Sequence, residues 1–452
     1  MITAMLCGKK PVNLANGVSS NPGVGPLVLG LDDHLTQMPL GIDKSSFKPL
    51  ETEIWTGLEL QFLGTSSATP TKYRNVSSLA LRLESASWIF DCGEGTQHQL
   101  MKSNVRSGKI DKIFITHMHG DHIFGLPGLL CRIGHSCPPS KGILDIYGPL
   151  GLRKFVRTTL KSSASVLGMQ YRVHELCPPR SRDWLLTDVV PDRHPDELGG
   201  TFILPNSNGL WPLVDTGEFQ VVAGSLRHRV PCYGYVIQEK TMAGRLRARA
   251  LQRLGLEPGP EYAVLKDGHS ITLPDGSVVE PSEVLGPPRP GRKLVILGDT
   301  CGSAALAAAA KHADIIVHEA TLENELVDKA IVAGHSTPGM AGAYAASIRA
   351  KSLVLTHFSA RYKSGGGGHG VTATASAPDA LGNVRAELPE DDSRMALLVR
   401  EAIEAFGSQN VVAACDFLSV TVPRHAYGDK VEGLLDELVA PDEWDRKLNV
   451  KV

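Results

Sequence analysis

Paired cysteines are missing from this chain. Its eight, Cys7, Cys92, Cys131, Cys137, Cys177, Cys232, Cys301 and Cys415, are scattered without a Cys-x-x-Cys spacing. No secretory signal is recognisable, so a disulfide framework is not expected and a reducing compartment fits best. Long apolar runs are also missing; none approaches the ~20 residues that a membrane helix requires, so no membrane span is expected. Excess charge of either sign is absent, with a net charge of −2. A nucleic-acid partner would therefore have to be held by a local basic cluster and not by the overall balance. Internal repeats are absent. The first 31 residues lack Asp, Glu and Arg and are rich in Gly, Pro, Ser and Asn, a composition that weakly resembles a transit peptide and equally suits a cytosolic tail. The expected location is the cytoplasm, with a chloroplast or mitochondrion as the alternative if residues 1–55 act as a transit peptide.

What the chain does have is enough apolar material for a large core: 42% of its 452 residues, with 46 glycines to make turns. Residues 1–55 read as an N-terminal extension. The catalytic body, 56–452, opens near Leu58, where Leu-Glu-Leu-Gln-Phe-Leu alternates as a half-buried strand. Strand-like runs follow at 78–83, 88–91, 112–116, 143–147, 233–238, 293–297, 315–318 and 352–356, interleaved with helical patterns at 150–163, 304–311 and 339–350. That alternation predicts a layered α/β fold. Two segments break it. Residues 239–290 combine Arg245, Arg247, Arg249 and Arg253 with Pro/Gly joints, as expected of a protruding arm, in which Arg245, Arg249 and Arg253 would share one helical face. Residues 364–392 begin with four glycines and read as a mobile surface insertion.

The densest chemical signal is Ile113-Phe-Ile-Thr-His117-Met-His119-Gly-Asp121-His122. Two histidines at i and i+2 beyond a strand can reach one borderline cation. Gly120 would permit the tight turn that aims Asp121 and His122 at a second cation about 3.5 to 4 Å away. Four such residues rarely gather by chance on a polar loop, and the natural reading is a two-metal hydrolase. Further donors must come from later strand ends, and three are offered at His228, Asp299 and His357.

With those residues in view, the chain resembles the metallo-β-lactamase superfamily and, within it, the short form of ribonuclease Z, the tRNA 3′-processing endonuclease. The narrower motifs are Pro70-Thr-Lys-Tyr-Arg-Asn75, Val317-His-Glu-Ala-Thr321, Gly334-His-Ser-Thr337, His357-Phe-Ser-Ala-Arg-Tyr362 and the arm with Gly259-Pro-Glu-Tyr262. The resemblance implies an αββα sandwich with the arm inserted. It implies two Zn2+ per chain, with Mn2+ as a substitute: one held by His117, His119 and His228, the other by Asp121, His122 and His357, with Asp299 bridging. Asp121 would handle the proton of the attacking water, and His335, oriented by Glu319, would be the acid for the leaving group. Lys72, Arg74 and Asn75 would meet the acceptor end of the RNA, while Arg245, Arg247, Arg249 and Arg253 would follow its phosphates. His318 is expected to be a buried structural imidazole. A homodimer acting on precursor tRNA is implied as well.

Two other readings remain open at this level. One is a small-molecule phosphodiesterase, lactonase or thioesterase on the same scaffold. The other is a metal-free RNA-binding scaffold, which the complete ligand set argues against.

Overall fold

Branched and aromatic side chains at every second position give the strands two buried faces, and those faces define four layers. In this computed structural model residues 57–136, 142–178, 193–362, 394–422 and 424 are described. The expected extension at 1–55 and insertion at 364–392 lie outside them.

The first half of the chain supplies β1 (Leu58–Gly64), β2 (Ser78–Leu83), β3 (Ser87–Phe90), β4 (Ile110–Phe114), β5 (Leu144–Pro149), β6 (Tyr171–Leu176) and β7 (Phe202–Ile203). Next come β8 (Trp211–Asp215), β9 (Phe219–Leu226) and β10 (Cys232–Glu239), then a short hairpin of β11 (Ile271–Thr272) and β12 (Val278–Val279). The second half adds β13 (Lys293–Ile296), β14 (Ile315–Glu319), β15 (Ser352–Thr356), β16 (Val411–Ala413) and β17 (Ser419–Thr421). One sheet runs β17-β1-β2-β3-β4-β5-β6-β7 and the other β16-β15-β14-β13-β10-β9-β8. Each sheet is antiparallel at one end and parallel at the other, as in β3-β4-β5-β6 and β13-β14-β15-β16.

Between the sheets lie Leu58, Leu60, Phe62, Phe90, Phe114, Tyr235, Ile237, Leu294 and Ile296. Phe90, Phe114 and Tyr147 stack in sequence, with centroids 4.9 and 5.1 Å apart. The opposite face of the first sheet, through Ile89, Ile113 and Ile115, packs on the helices Leu126–Ser136 and Leu152–Ser162. The outer face of the second, through Val295, Ile316 and Leu353, packs on Pro338–Ser347 and Arg394–Phe406. This is the αββα sandwich of the metallo-β-lactamase fold. Burying such strands on both faces is what parallel pairing requires.

The arm has its own small core of Leu251, Leu265, Val279 and Val284. Its root is fixed by Arg292, whose guanidinium donates to both oxygens of Glu239 at 2.7 Å. Its first helix covers only Ala248–Arg253. Arg245 therefore precedes the helix, and the expectation that Arg245, Arg249 and Arg253 share one helical face fails at its first member: Leu246 forms a bridge with Leu285 and keeps the chain extended there. Arg245, Arg247, Arg249 and Arg253 are all exposed.

Candidate metal centre

The expected ligands sit just beyond the C-terminal ends of four strands. His117 and His119 follow β4, His228 follows β9, Asp299 follows β13 and His357 follows β15. These are strand ends and not lateral edges, for β4, β9, β13 and β15 are all interior to their sheets. Asp121 and His122 lie in the single helical turn Gly120–Ile123. Gly120 serves that turn by its small size: a Cβ there would stand 2.3 Å from the Phe124 ring. His357 adopts the left-handed backbone conformation, φ 59°, uncommon for a residue with a side chain and typical of functional positions.

All seven side chains converge. His119 Nδ1 lies 2.9 Å from His117 Nε2 and 3.3 Å from His228 Nε2. On the other side, His122 Nε2 is 3.3 Å from His357 Nε2, and Asp121 Oδ2 is 3.4 Å from His357 Nε2. Asp299 lies between the two groups, with Oδ1 3.4 and 3.3 Å from the ring nitrogens of His122 and His357 and Oδ2 3.7 Å from His117. Tetrahedral ligation at ~2.1 Å places neighbouring donors ~3.4 Å apart. The spacing therefore suits cations at the two foci.

The far nitrogens decide the tautomers. Gly334 O accepts from His228 Nδ1 at 2.7 Å, and Asp91 Oδ2 accepts from His122 Nδ1 at 2.7 Å. Thr116 gives its hydroxyl proton to Asp91 and so accepts from His117 Nδ1 at 3.0 Å. Thr321 gives its proton to Glu319 and accepts from His357 Nδ1 at 2.9 Å. In each of these four imidazoles the proton sits on Nδ1, leaving the Nε2 lone pair facing the centre. Such outer partners are what set ring orientation and basicity in zinc sites. Asp91, Thr116 and Thr321 were not legible as site residues beforehand.

Electrostatics follow the crowding. Burial and the neighbouring imidazole of His122 hold His117 well below the usual histidine range. His119 and His228 are lowered chiefly by burial too. Burial pushes Asp121 up, but its hydrogen bond with His357 and the nearby imidazoles outweigh it, so the carboxyl lies below its ordinary value. Unprotonated imidazoles and ionised carboxylates are the forms that bind metal.

His335 stands beside this centre, with Nδ1 3.1 Å from Glu319 Oε1 and 3.7 Å from Asp299 Oδ2. Glu319, at the end of β14, is itself fixed by the Thr300 amide at 2.6 Å. Burial lowers His335, yet the Glu319 carboxylate more than reverses this and raises it. Gly334 has φ 79° and ends the helix Val327–Ala333; a Cβ there would lie 2.8 Å from His228 Nδ1. His318 is 2% exposed with Nδ1 donating to Glu319 O, as a structural imidazole should.

The loop at 70–75 divides in two. Lys72 is exposed, and Asn75 is half-buried with its amide donating to Glu94 O. Arg74 corrects its expected role. It is 5% exposed, donates to Thr65 Oγ1 and Ala414 O, and lies over the Phe358 ring at 4.7 Å. An inward guanidinium with those partners supports the loop from beneath.

Zinc phosphodiesterase ELAC protein 1 of Mus musculus is 42% identical over 377 residues, spanning 81% of this chain and 99% of the relative. The ribonuclease Z of Microcystis aeruginosa is 38% identical over 370 residues, spanning 81% and 97%. The chain belongs to the ribonuclease Z family. The crystal structure of human tRNase Z, short form (ELAC1), agrees with this ribonuclease Z assignment at 34% identity and TM-score 0.53, covering 81% of this chain and 99% of that one. A family profile described as Anti-Pycsar protein Apyc1 matches residues 58–142, the part of the ribonuclease Z fold that carries β1 to β4 and the first ligand cluster. As a ribonuclease Z relative with this donor set, the chain is a zinc-binding hydrolase. Among the described residues no helix is long and apolar enough to cross a membrane.

Proposed function

We propose that the protein is a zinc-dependent endoribonuclease that removes the 3′ trailer from precursor tRNA. The cut falls after the discriminator base and leaves a 3′-hydroxyl on the tRNA and a 5′-phosphate on the trailer. The observation that carries this reading is the convergence of seven donors from four separate segments into two groups sharing Asp299, in a chain of the ribonuclease Z family. Two ions per chain fit the two groups, His117, His119 and His228 on one side and Asp121, His122 and His357 on the other. When bound, they supply Lewis acidity, stabilising charge on the phosphoryl oxygens and lowering the pKa of water to about 7.

The chain's own groups do the rest. Asp121 Oδ2 is held by the Ala68 amide at 2.7 Å, which aims the carboxylate to orient the attacking water and take its proton. On the opposite side of the in-line displacement, Glu319 holds His335 Nδ1, leaving Nε2 to protonate the departing 3′-oxygen. Lys72 and Asn75 face the acceptor end. Arg245, Arg247, Arg249 and Arg253 follow phosphates farther along the RNA. From the family resemblance we take the working unit to be a homodimer, which light scattering would test, and from the scattered cysteines we place it in the cytoplasm, with an organelle as the alternative that a fluorescent fusion of residues 1–55 would reveal.

The decisive assay is cleavage of end-labelled precursor tRNA by the protein and by Asp121→Ala. A single cut at the acceptor end for the first and none for the second is expected. Equal cleavage by both would overturn the catalytic assignment, and a failure of the unaltered protein to cut any precursor tRNA would favour the small-molecule hydrolase.

A further inference from the structure

Asp416 follows β16 and is remote in sequence from every ligand, yet its carboxylate gathers donors from three segments near the metal centre. Thr65 Oγ1 donates to Oδ1 at 2.8 Å; the Asn75 amide and Gln99 Nε2 donate to Oδ2 at 2.7 and 2.8 Å. Thr65 and Asn75 bracket the loop that carries Lys72. The same two residues are tied directly, because the Thr65 and Ser66 amides both donate to Asn75 O, at 2.9 and 2.8 Å.

The far side of the loop abuts the metal ligands. Phe358, next to His357, donates its amide to Thr65 O at 2.9 Å and accepts from the Ser67 amide at 3.0 Å, while the Ala68 amide reaches Asp121. The loop is thus strung between Asp416 at its base and Asp121 at the centre, with Lys72 and the 52%-exposed Tyr73 turned outward. A carboxylate is costly in such a place, and burial pushes Asp416 up to about 6 against its donors and the nearby Arg74. An acceptor with no donor of its own matches three converging donors; an amide or hydroxyl would turn a hydrogen toward at least one of them.

We infer that Asp416 is a positioning residue for the RNA substrate, setting the 65–75 loop and its exposed Lys72 against the acceptor end without touching metal or the scissile bond. This rests on the precursor-tRNA reading above. A substrate too small to reach the loop should not sense the change, whereas a misplaced loop costs the large substrate its alignment.

The test compares precursor tRNA with bis(p-nitrophenyl) phosphate on full-length, zinc-loaded protein. Asp416→Asn keeps the shape but presents an N–H to donors. It should raise KM for precursor tRNA about tenfold or more, with activity on the small diester changed less than about twofold and zinc content unaltered. Thr65→Val, which at nearly constant volume removes one donor to Asp416 and one of the two acceptors of Arg74 Nη1, leaving Ala414 O to hold it, should show the same selective rise and serves if Asp416→Asn does not fold. An unchanged KM for precursor tRNA, or parallel loss on both substrates, would overturn the inference while leaving the enzyme assignment intact. Absence of precursor-tRNA cleavage by the unaltered protein would overturn that assignment and this inference with it.

Discussion

Asp91→Asn should uncouple one metal site from the other. Asp91 lies at φ 57° and is 6% exposed; asparagine tolerates that backbone as well as aspartate does, so the change acts on hydrogen bonds. Oδ1 accepts the Thr116 amide at 2.7 Å, while Oδ2 accepts the Thr116 hydroxyl at 2.8 Å and His122 Nδ1 at 2.7 Å. With the amide oxygen of asparagine on the Thr116 amide, its NH2 faces His122 Nδ1. The imidazole must then move its proton to Nε2, the nitrogen that faces Asp121, Asp299 and His357. Loss of an outer partner of this kind costs about 10–100-fold in metal affinity, or ~1.4–2.7 kcal/mol. The loss should fall more on the His122 group than on the His119 group, because the NH2 replaces the acceptor of His122 Nδ1 itself, whereas Thr116 Oγ1, although its hydroxyl proton loses Oδ2, keeps a lone pair that accepts from His117 Nδ1. Zinc competition against a graded series of chelators, with stoichiometry read by elemental analysis, should show one ion released at a chelator strength that leaves the parent protein fully loaded. Affinities within twofold of the parent for both ions would refute the reasoning about tautomers.

Three further outcomes follow from the same geometry. His335→Ala should lower kcat on precursor tRNA by about 10²–10⁴-fold at unchanged zinc content, and Glu319→Gln should fall part of that way; loss of zinc in step with activity would contradict the acid role. Replacing Arg245, Arg247, Arg249 and Arg253 by glutamine should raise KM for precursor tRNA and make the slope of log KM against log salt shallower by about 3, roughly 0.7–0.9 for each of four phosphate contacts; an unchanged slope would remove the arm from RNA binding. Because the folded-state value of Asp416, about 6, lies above its ordinary 3.8, its charge costs stability above pH 6 and that cost is relieved as pH falls through 6. The stability difference between the protein and Asp416→Asn, measured by urea unfolding, should therefore move in favour of the protein by about 1 kcal/mol from pH 7.5 to pH 5, and no movement would place the carboxylate in a more polar setting.

How much of the site could be read in advance varied with the range of each interaction. The 117–122 cluster is local, so its strand, loop and tight turn were legible from neighbouring residues alone, though not that the turn is the helical one at Gly120–Ile123. His228, Asp299 and His357 were visible as donors beyond strand-like runs, but their convergence was an expectation of family resemblance. The strand limits 78–83 and 352–356 came out as expected, since alternation there is clean. β6, β9 and the helix Arg394–Phe406 were not delineated, and the helical face assumed for the arm dissolved at Arg245, where pairing with another part of the arm overrides local periodicity. Arg74 was misjudged because a loop arginine is usually solvated. Only the approach of Phe358 and Ala414 shows that this one is buried.

The sequence by itself determined the chemical inventory, seven donors of zinc-binding type with a histidine and a glutamate to serve them, and the alternation that dictates layered sheets. Composition and periodicity are properties of neighbours, and neighbours suffice for these. Only the tertiary structure decided which nitrogen of each imidazole faces the centre, that Asp299 offers one oxygen to each group, and that Asp91 and Asp416 support the site from behind. Those facts depend on contacts between residues up to 351 positions apart in the chain. Hydrogen bonds are made or lost over a few tenths of an ångström, and that precision is set by how two sheets and their helices pack, not by any local pattern.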